Sequence, residues 1–314
     1  MLVFVARRFG QAVLALLGST FLMYLAVFRL GDPFKWRGEK LLPPDTQVML
    51  KAHFGLDKPM FEQYLIYLKN IVTLDFGVDF TTRKPVADLL AAAAPNTLRL
   101  TTLAIIIDVL IGVLAGIAAA VWKDTFLDAL VSVSTILILC VPLFVIAFVL
   151  RTTLTGVHVL GIEVFPQLPP PFGVEVPWYR KVLLPAISLA LMDIAFMARL
   201  MRASMIEVLG QPYLNTARGK GLPERTIIFR HAARNALLPV VTHIGILFGL
   251  LMGGAIIVEF VFSYPGLGLL FVGALGGPNI PILLAIAVLS LITFVTLSAV
   301  VDVFAAYLDP RIRV

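Results

Sequence analysis

Residues 97–121 read TLRLTTLAIIIDVLIGVLAGIAAAV. A helix rises about 1.5 Å per residue, so a run of this length crosses the ~30 Å hydrocarbon core of a bilayer. Five more apolar runs of similar length lie around it, at 9–30, 129–150, 182–200, 236–262 and 281–307, each ending near charges, Pro or Gly. The composition of the whole chain agrees: 60% of its 314 residues are hydrophobic, 14% are charged, and the mean hydropathy is +0.97. So few charges do not clothe water-facing surfaces, which excludes a soluble globular protein. The expectation is an all-α polytopic membrane protein with six transmembrane helices.

The first run follows Arg7-Arg8 and offers no clear small-residue cleavage site at Gly18-Ser19-Thr20, so it reads as a retained helix rather than a secretion signal. Lys and Arg near span ends stay on the cytoplasmic side. Placing both termini in the cytoplasm gathers Arg7, Arg8, Lys123, the basic residues from Arg199 to Arg234, Arg311 and Arg313 inside. Short outer loops then hold only Arg151, Arg180 and Lys181. The chain divides into a cytoplasmic N-terminus (1–8), a first span (9–30), an extracytoplasmic helical segment (31–96) and a transmembrane domain (97–314) with a cytoplasmic loop over about 201–235. The net charge of +6 reports loop orientation and contact with membrane lipids, not nucleic-acid binding.

Two segments outside the spans carry pattern. In the outer one, Pro59 precedes Phe61, Tyr64, Leu65, Leu68, Ile71 and Val72, a helical apolar stripe ended by Asp75-Phe76-Gly77. It is either a cap packed over the outer helix ends or a docking surface for an external partner. In the inner loop, Tyr213, Leu214 and Ala217 share one face of a short helix, and Gly219 and Gly221 permit a reversal. Pro223-Glu224 then opens a second helix through Ile227, Ile228 and His231. This is an amphipathic knob of the kind that seats in a protein groove.

Catalytic patterns are missing from the sequence. There is no Gly-x-x-x-x-Gly-Lys-Ser/Thr phosphate loop, and Gly219-Lys220-Gly221 lacks its length and its hydroxyl. His53, His158, His231 and His243 form no metal-ligand spacing, Cys140 is the single cysteine, and no Gly-x-Ser-x-Gly elbow occurs. The chain is therefore expected to be no enzyme, with no catalytic residues, no metal and no cofactor of its own. Four acids fall in or near spans: Asp108, Asp193, Glu259 and Asp302. A charge at the bilayer centre costs at least ~2.5 kcal/mol, so such groups face a pathway or a partner helix. Asp193 is expected to pair with Arg199 or Arg202, or with a partner subunit. Gly112-x-x-x-Gly116 is a helix-packing signal.

At the inner loop the sequence resembles the B-type permease subunits of dipeptide, oligopeptide and nickel binding-protein-dependent ABC importers. The matching text is Ala217-Arg218-Gly219-Lys220-Gly221-Leu222 and Arg230-His231-Ala232-Ala233-Arg234-Asn235-Ala236-Leu237-Leu238-Pro239. Gly31-Asp32-Pro33, Asp75-Phe76-Gly77, Pro95-Asn96-Thr97-Leu98, Glu259 with Tyr264-Pro265-Gly266-Leu267-Gly268, and Asp309-Pro310-Arg311-Ile312-Arg313 follow the same family in order. One departure stands out: Asn215, Thr216 and Ala217 occupy the places of Glu-Ala-Ala in the general importer motif, so no role of that Glu transfers here.

The resemblance implies the type I importer permease fold in a bacterial plasma (inner) membrane. It implies half of a translocation pathway for di- or oligopeptides, with nickel complexes or glutathione as alternative cargo. Its partners would be a homologous C-type permease, two ABC ATPase subunits that bind ATP and Mg, and an extracytoplasmic peptide-binding protein. Tyr213, Ala217, Arg218, Gly219, Lys220, Gly221 and Leu222 then become the residues that couple to the ATPases. The competing class is an autonomous proton-coupled secondary transporter, which leaves the inner loop unexplained and calls for internal repeats that the sequence does not display.

Overall fold

The structure is a computed structural model that describes residues 2–28, 48, 52, 55, 57–79, 82–159, 162–170, 175–276 and 279–308. In chain order its helices are α1 (Leu2–Phe28), α2 (Met60–Val72), α3 (Val86–Val121), α4 (Phe126–Leu139), α5 (Leu143–Leu154), α6 (Trp178–Leu209), α7 (Pro212–Gly219), α8 (Glu224–Thr226), α9 (Ala233–Ala236), α10 (Leu238–Phe262), α11 (Leu267–Leu275) and α12 (Ile280–Leu308). A π-helical turn, Ile227–Ala232, joins α8 to α9, and a two-stranded antiparallel hairpin pairs His158–Val159 with Ile162–Glu163. Two compact units result: Met1–Asn96 with Pro265–Ala299, and Thr97–Tyr264 with Val300–Val314.

Among the described residues, four helices are each long and apolar enough to cross a membrane: Ala6–Phe28, Val86–Val121, Trp178–Leu209 and Ile280–Val301. Three bent helix pairs raise the total to as many as seven, a range that contains the six expected spans. The run at 129–150, read above as one span, is two helices. α4 and α5 meet at 103°, and neither half alone reaches across ~30 Å of hydrocarbon. Pro142 is the cause: its ring excludes Val141 from helical geometry, and it stands as the N-cap of α5.

In the first unit, α2 packs on α1 around Tyr24, which is 1% exposed. The Tyr24 hydroxyl donates to Gln63 Oε1, Thr20 Oγ1 and Tyr64 Oη lie 3.1 Å apart, and the Tyr24 ring sits 5.7 Å from Tyr64 and 6.0 Å from Tyr67. The inward face of α2 is therefore Gln63, Tyr64, Tyr67 and Ile71, while Phe61, Leu65 and Val72 of the expected stripe point outward. The phase differs from the apolar pattern because Gln63 and the tyrosines find hydrogen-bond and ring partners on α1, which a plain apolar count does not register.

α3 begins at Val86, well before residue 97, and continues through Pro95. Val86, Leu90 and Ala93 recur at helical spacing and bury against Leu267, Ala274, Ile282 and Ile286, packing that outweighs the hydrogen bond lost at the proline. In the second unit, α3, α6 and α10 share a core that includes Leu100, Ala104, Leu189, Met197, Met201, Leu247 and Val258. Gly112 and Gly116 fit against α6 so closely that a Cβ at Gly116 would lie 2.6 Å from Ala198 O and 2.6 Å from Met201 Cβ. The small-residue signal thus marks a seam where two backbones approach.

Candidate coupling loop and intramembrane polar residues

α6 ends at Leu209 with Gly210 as its C-cap, and Pro212 opens α7 at its first turn, where a missing N–H leaves nothing unsatisfied. Leu214 is fully buried and Ala217 packs on the same core. Tyr213 is 42% exposed, so it does not share their face. Its hydroxyl instead accepts from Asn235 Nδ2 at 2.8 Å, and Asn235 Nδ2 also lies 3.3 Å from His231 O, tying the start of α7 to the far end of the loop.

The reversal after α7 is a Schellman turn. The Leu222 N–H donates to Ala217 O at 3.3 Å and the Gly221 N–H to Arg218 O at 2.9 Å, with Gly221 at φ +76°. That left-handed position is the physical reason for glycine there. A Cβ built on Gly221 meets nothing within 4 Å, so the constraint lies in the backbone and not in space.

Arg218 folds back across this turn. Its Nη2 lies 2.8 Å from Glu224 Oε1, Nε 3.3 Å from Oε2, and Nη1 3.2 Å from Asn215 Oδ1. The guanidinium holds the Glu224 carboxyl below its ordinary range. Gly219, Lys220 and Leu222 are exposed around the turn. The second helix expected after Pro223 is a single α turn that passes into the π-helical Ile227–Ala232. Ile227 and Ala232 are both fully buried. The wider turn shows in its hydrogen bonding: the Ala233 N–H donates to Ile228 O, five residues back. Phe229, 55% exposed, joins Tyr213 and Leu222 as an apolar group on the loop surface that the sequence reading passed over.

The acids separate into different settings. Asp108 is fully buried on α3 with neither carboxylate oxygen partnered. It stands one turn before Gly112 on the seam-facing stripe, and Asp193 is half-buried on α6. Asp193 is not the partner of Arg202, contrary to expectation. Arg202 makes a two-pronged ion pair with Asp128, Nε to Oδ1 at 2.6 Å and Nη2 to Oδ2 at 2.7 Å, while Arg199 is exposed. Asp128 was missed in the sequence; the signal was an acid in the first turn of α4. Glu259 is fully buried and accepts from Thr97 Oγ1 at 2.6 Å, next to the Ser263 left-handed cap of α10. Asp302 lies on α12, with its side chain outside the described residues.

Residues 112–314 match the family described as "Binding-protein-dependent transport system inner membrane component". Residues 1–101 match "Binding-prot-dependent transport system membrane comp, N-term". The chain therefore belongs to the inner membrane components of binding-protein-dependent transport systems. It is a permease subunit of an ABC importer and a multi-pass inner membrane protein. The "Glutathione transport system permease protein GsiC" of Escherichia coli (strain K12) is 34% identical over 314 residues, covering 100% of this chain and 99% of the relative. The proteins of that name from Shigella dysenteriae serotype 1 and Shigella boydii serotype 4 match to the same extent. Such a permease works with a second permease, ATPase subunits and a binding protein.

Proposed function

We propose that this chain is the B-type half of a peptide importer whose cargo is short peptides, with the tripeptide glutathione among them and nickel complexes as the alternative. The observation that carries the cargo reading is the full-length likeness to permeases named for glutathione transport. Six spans with both termini in the cytoplasm put 201–235 on the inner side and 31–96 on the outer side. The loop around Gly221 then seats in a cleft of one of two ATPase subunits, with Tyr213, Ala217, Arg218, Gly219, Lys220 and Leu222 forming or framing the contact. The Schellman turn supports this role, since it presents exposed Tyr213, Leu222 and Phe229 on a rigid loop rooted by Leu214 and Ile227. ATP and Mg bind to the ATPase subunits, and this chain contributes motion, with no catalytic residue and no cofactor of its own. ATP-driven closure and the loaded binding protein favour different members of a pair of conformations.

Affinity purification from the native membrane followed by mass spectrometry tests the assembly, and uptake of labelled glutathione and dipeptides by the purified complex in proteoliposomes tests the cargo. Recovery of a second permease, two ATPases and a peptide-binding protein is the expected result. A solitary chain that transports in liposomes without ATPases would overturn the proposal.

A further inference from the structure

Within the second unit, α6 is covered on most of its circumference but not on all of it. Between Val182 and Leu209 its exposed residues are Phe196, Arg199, Ala203 and Glu207, spaced three and four apart, so they form one helical stripe. Asp193, half-buried, stands at the head of that stripe. It lies 15 residues after Trp178 and 16 before Leu209, about 23 Å from either end of the helix and so near the middle of the span. Phe196 is 46% exposed, and the His243 ring of α10 backs it at 4.6 Å between centroids. Asp193 and Arg199, three residues to either side, flank this one aromatic ring.

Both charges are unmet: neither Asp193 nor Arg199 has a hydrogen bond or an ion pair among the described residues. The helices packed on α6 offer Asp193 no cation. α3 has no Lys or Arg between Arg99 and Lys123, and α4 and α10 have none at all. Arg151 of α5 is bonded to Val261 O and Leu168 O, and Arg202 to Asp128. An acid at mid-bilayer does not face hydrocarbon, so the uncovered stripe meets water or another molecule. Asp108, sealed in the α3 seam, is out of reach of that molecule. The stripe presents a carboxylate, an apolar ring and a guanidinium in that order over a rise of about 9 Å. A peptide of two or three residues spans about 7–11 Å when extended, with an ammonium at one end and a carboxylate at the other.

We propose that Asp193, Phe196 and Arg199 form a cargo-binding strip on the wall of the translocation pathway. Asp193 takes the ammonium of a short zwitterionic peptide, Arg199 its carboxylate, and Phe196 an apolar side chain. The assignment rests on the peptide-import reading. The binding protein performs the first selection, and the strip holds the released cargo within the membrane until the inner side opens.

The test uses the complete importer in proteoliposomes with saturating loaded binding protein, and labelled glutathione and alanyl-phenylalanine as probes. Asp193→Asn and Arg199→Gln each remove one charge with little change of shape, whereas Asp193→Glu and Arg199→Lys keep it. Gly10→Leu on α1, where a Cβ meets nothing within 4 Å, is the control. Peptide imported per ATP hydrolysed falls about tenfold or more in each neutral variant, the loss of a hydrogen bond to a charged group. The neutral variants retain the second permease and the ATPases, and the charge-keeping variants and the control import like wild type. Wild-type coupling in either neutral variant overturns the proposal, as does an equally deep loss in Asp193→Glu and Arg199→Lys. Loss of the second permease from the purified neutral variants overturns it too, by assigning the stripe to the contact between permeases. Failure of the wild-type complex to import either probe removes the cargo reading, and the strip with it.

Discussion

Replacing Gly221 separates backbone geometry from surface contact, because the residue sits at φ +76° while its missing Cβ faces open space. Any L-residue held in the left-handed region costs roughly 1–2 kcal/mol, a β-branched one more, and Asn less, because its side chain tolerates that region. Gly221→Val therefore shifts the loop away from the Schellman turn by at least about 5- to 30-fold. It does so without a steric clash against any neighbour. The two bonds that end α7, Leu222 N–H to Ala217 O and Gly221 N–H to Arg218 O, go with it. Leu214 and the rest of the core keep their places, so the variant inserts and co-purifies with the second permease. Retention of the ATPase subunits and ATP-driven uptake in proteoliposomes are the assays. The order expected is Gly, then Asn, then Ala, then Val, with Val lowest in both. A Val variant that retains ATPases and transports like wild type would refute the argument from the backbone. Loss in Asn equal to that in Val would point to a contact made at the glycine surface instead.

Arg218→Glu faces Glu224 with a like charge and weakens ATPase retention, whereas the exchange Arg218→Glu with Glu224→Arg restores the turn. A double-mutant cycle on co-purification reads the coupling, and additive losses would show that the pair does not act together. Because Glu224 titrates below its ordinary range, the pair's contribution is complete above the unfolded carboxyl range near 4.5 and fades only as pH falls through the lower folded value. Limited proteolysis of the loop is thus flat with pH from 8 to ~5 in wild type, and a transition within that window would contradict the assignment. Asp128→Asn removes one half of a two-pronged ion pair and lowers the thermal midpoint of the detergent-purified complex, and Arg202→Gln in the same chain adds little further loss. Gly116→Val forces a Cβ to within 2.6 Å of Ala198 O and costs ~1–3 kcal/mol or more in the same measurement. Gly10→Val costs less, since nothing lies near its Cβ.

What a reader of the chain can see depends on how local the cause is. The long α3, α6 and α12 follow from apolar run length, which is a property of consecutive residues. The turn at Gly221 was visible for the same reason: Gly219, Gly221 and Pro223 are local punctuation, and the Schellman bonds close within six residues. The Pro142 break is equally local, but the unbroken apolar length of 129–150 conceals it. Pro95 gave the opposite lesson, since a helix passes through it where Val86, Leu90 and Ala93 find a packed surface. Sequence pattern alone does not decide which proline wins, because the deciding term is the burial on either side of it.

By itself, the sequence determined that the bilayer is this protein's solvent, that its helices are too apolar for water, and that one basic loop carries a glycine at a reversal. The tertiary structure decided the partners: Asp128 rather than Asp193 for Arg202, Glu224 for Arg218, Thr97 for Glu259, and Asp79 for Asn279 across 200 positions. Helix length and turn chemistry are written in neighbouring residues. The pairing of polar groups depends on which distant side chains the folded backbone brings within about 3 Å, a distance no linear spacing encodes.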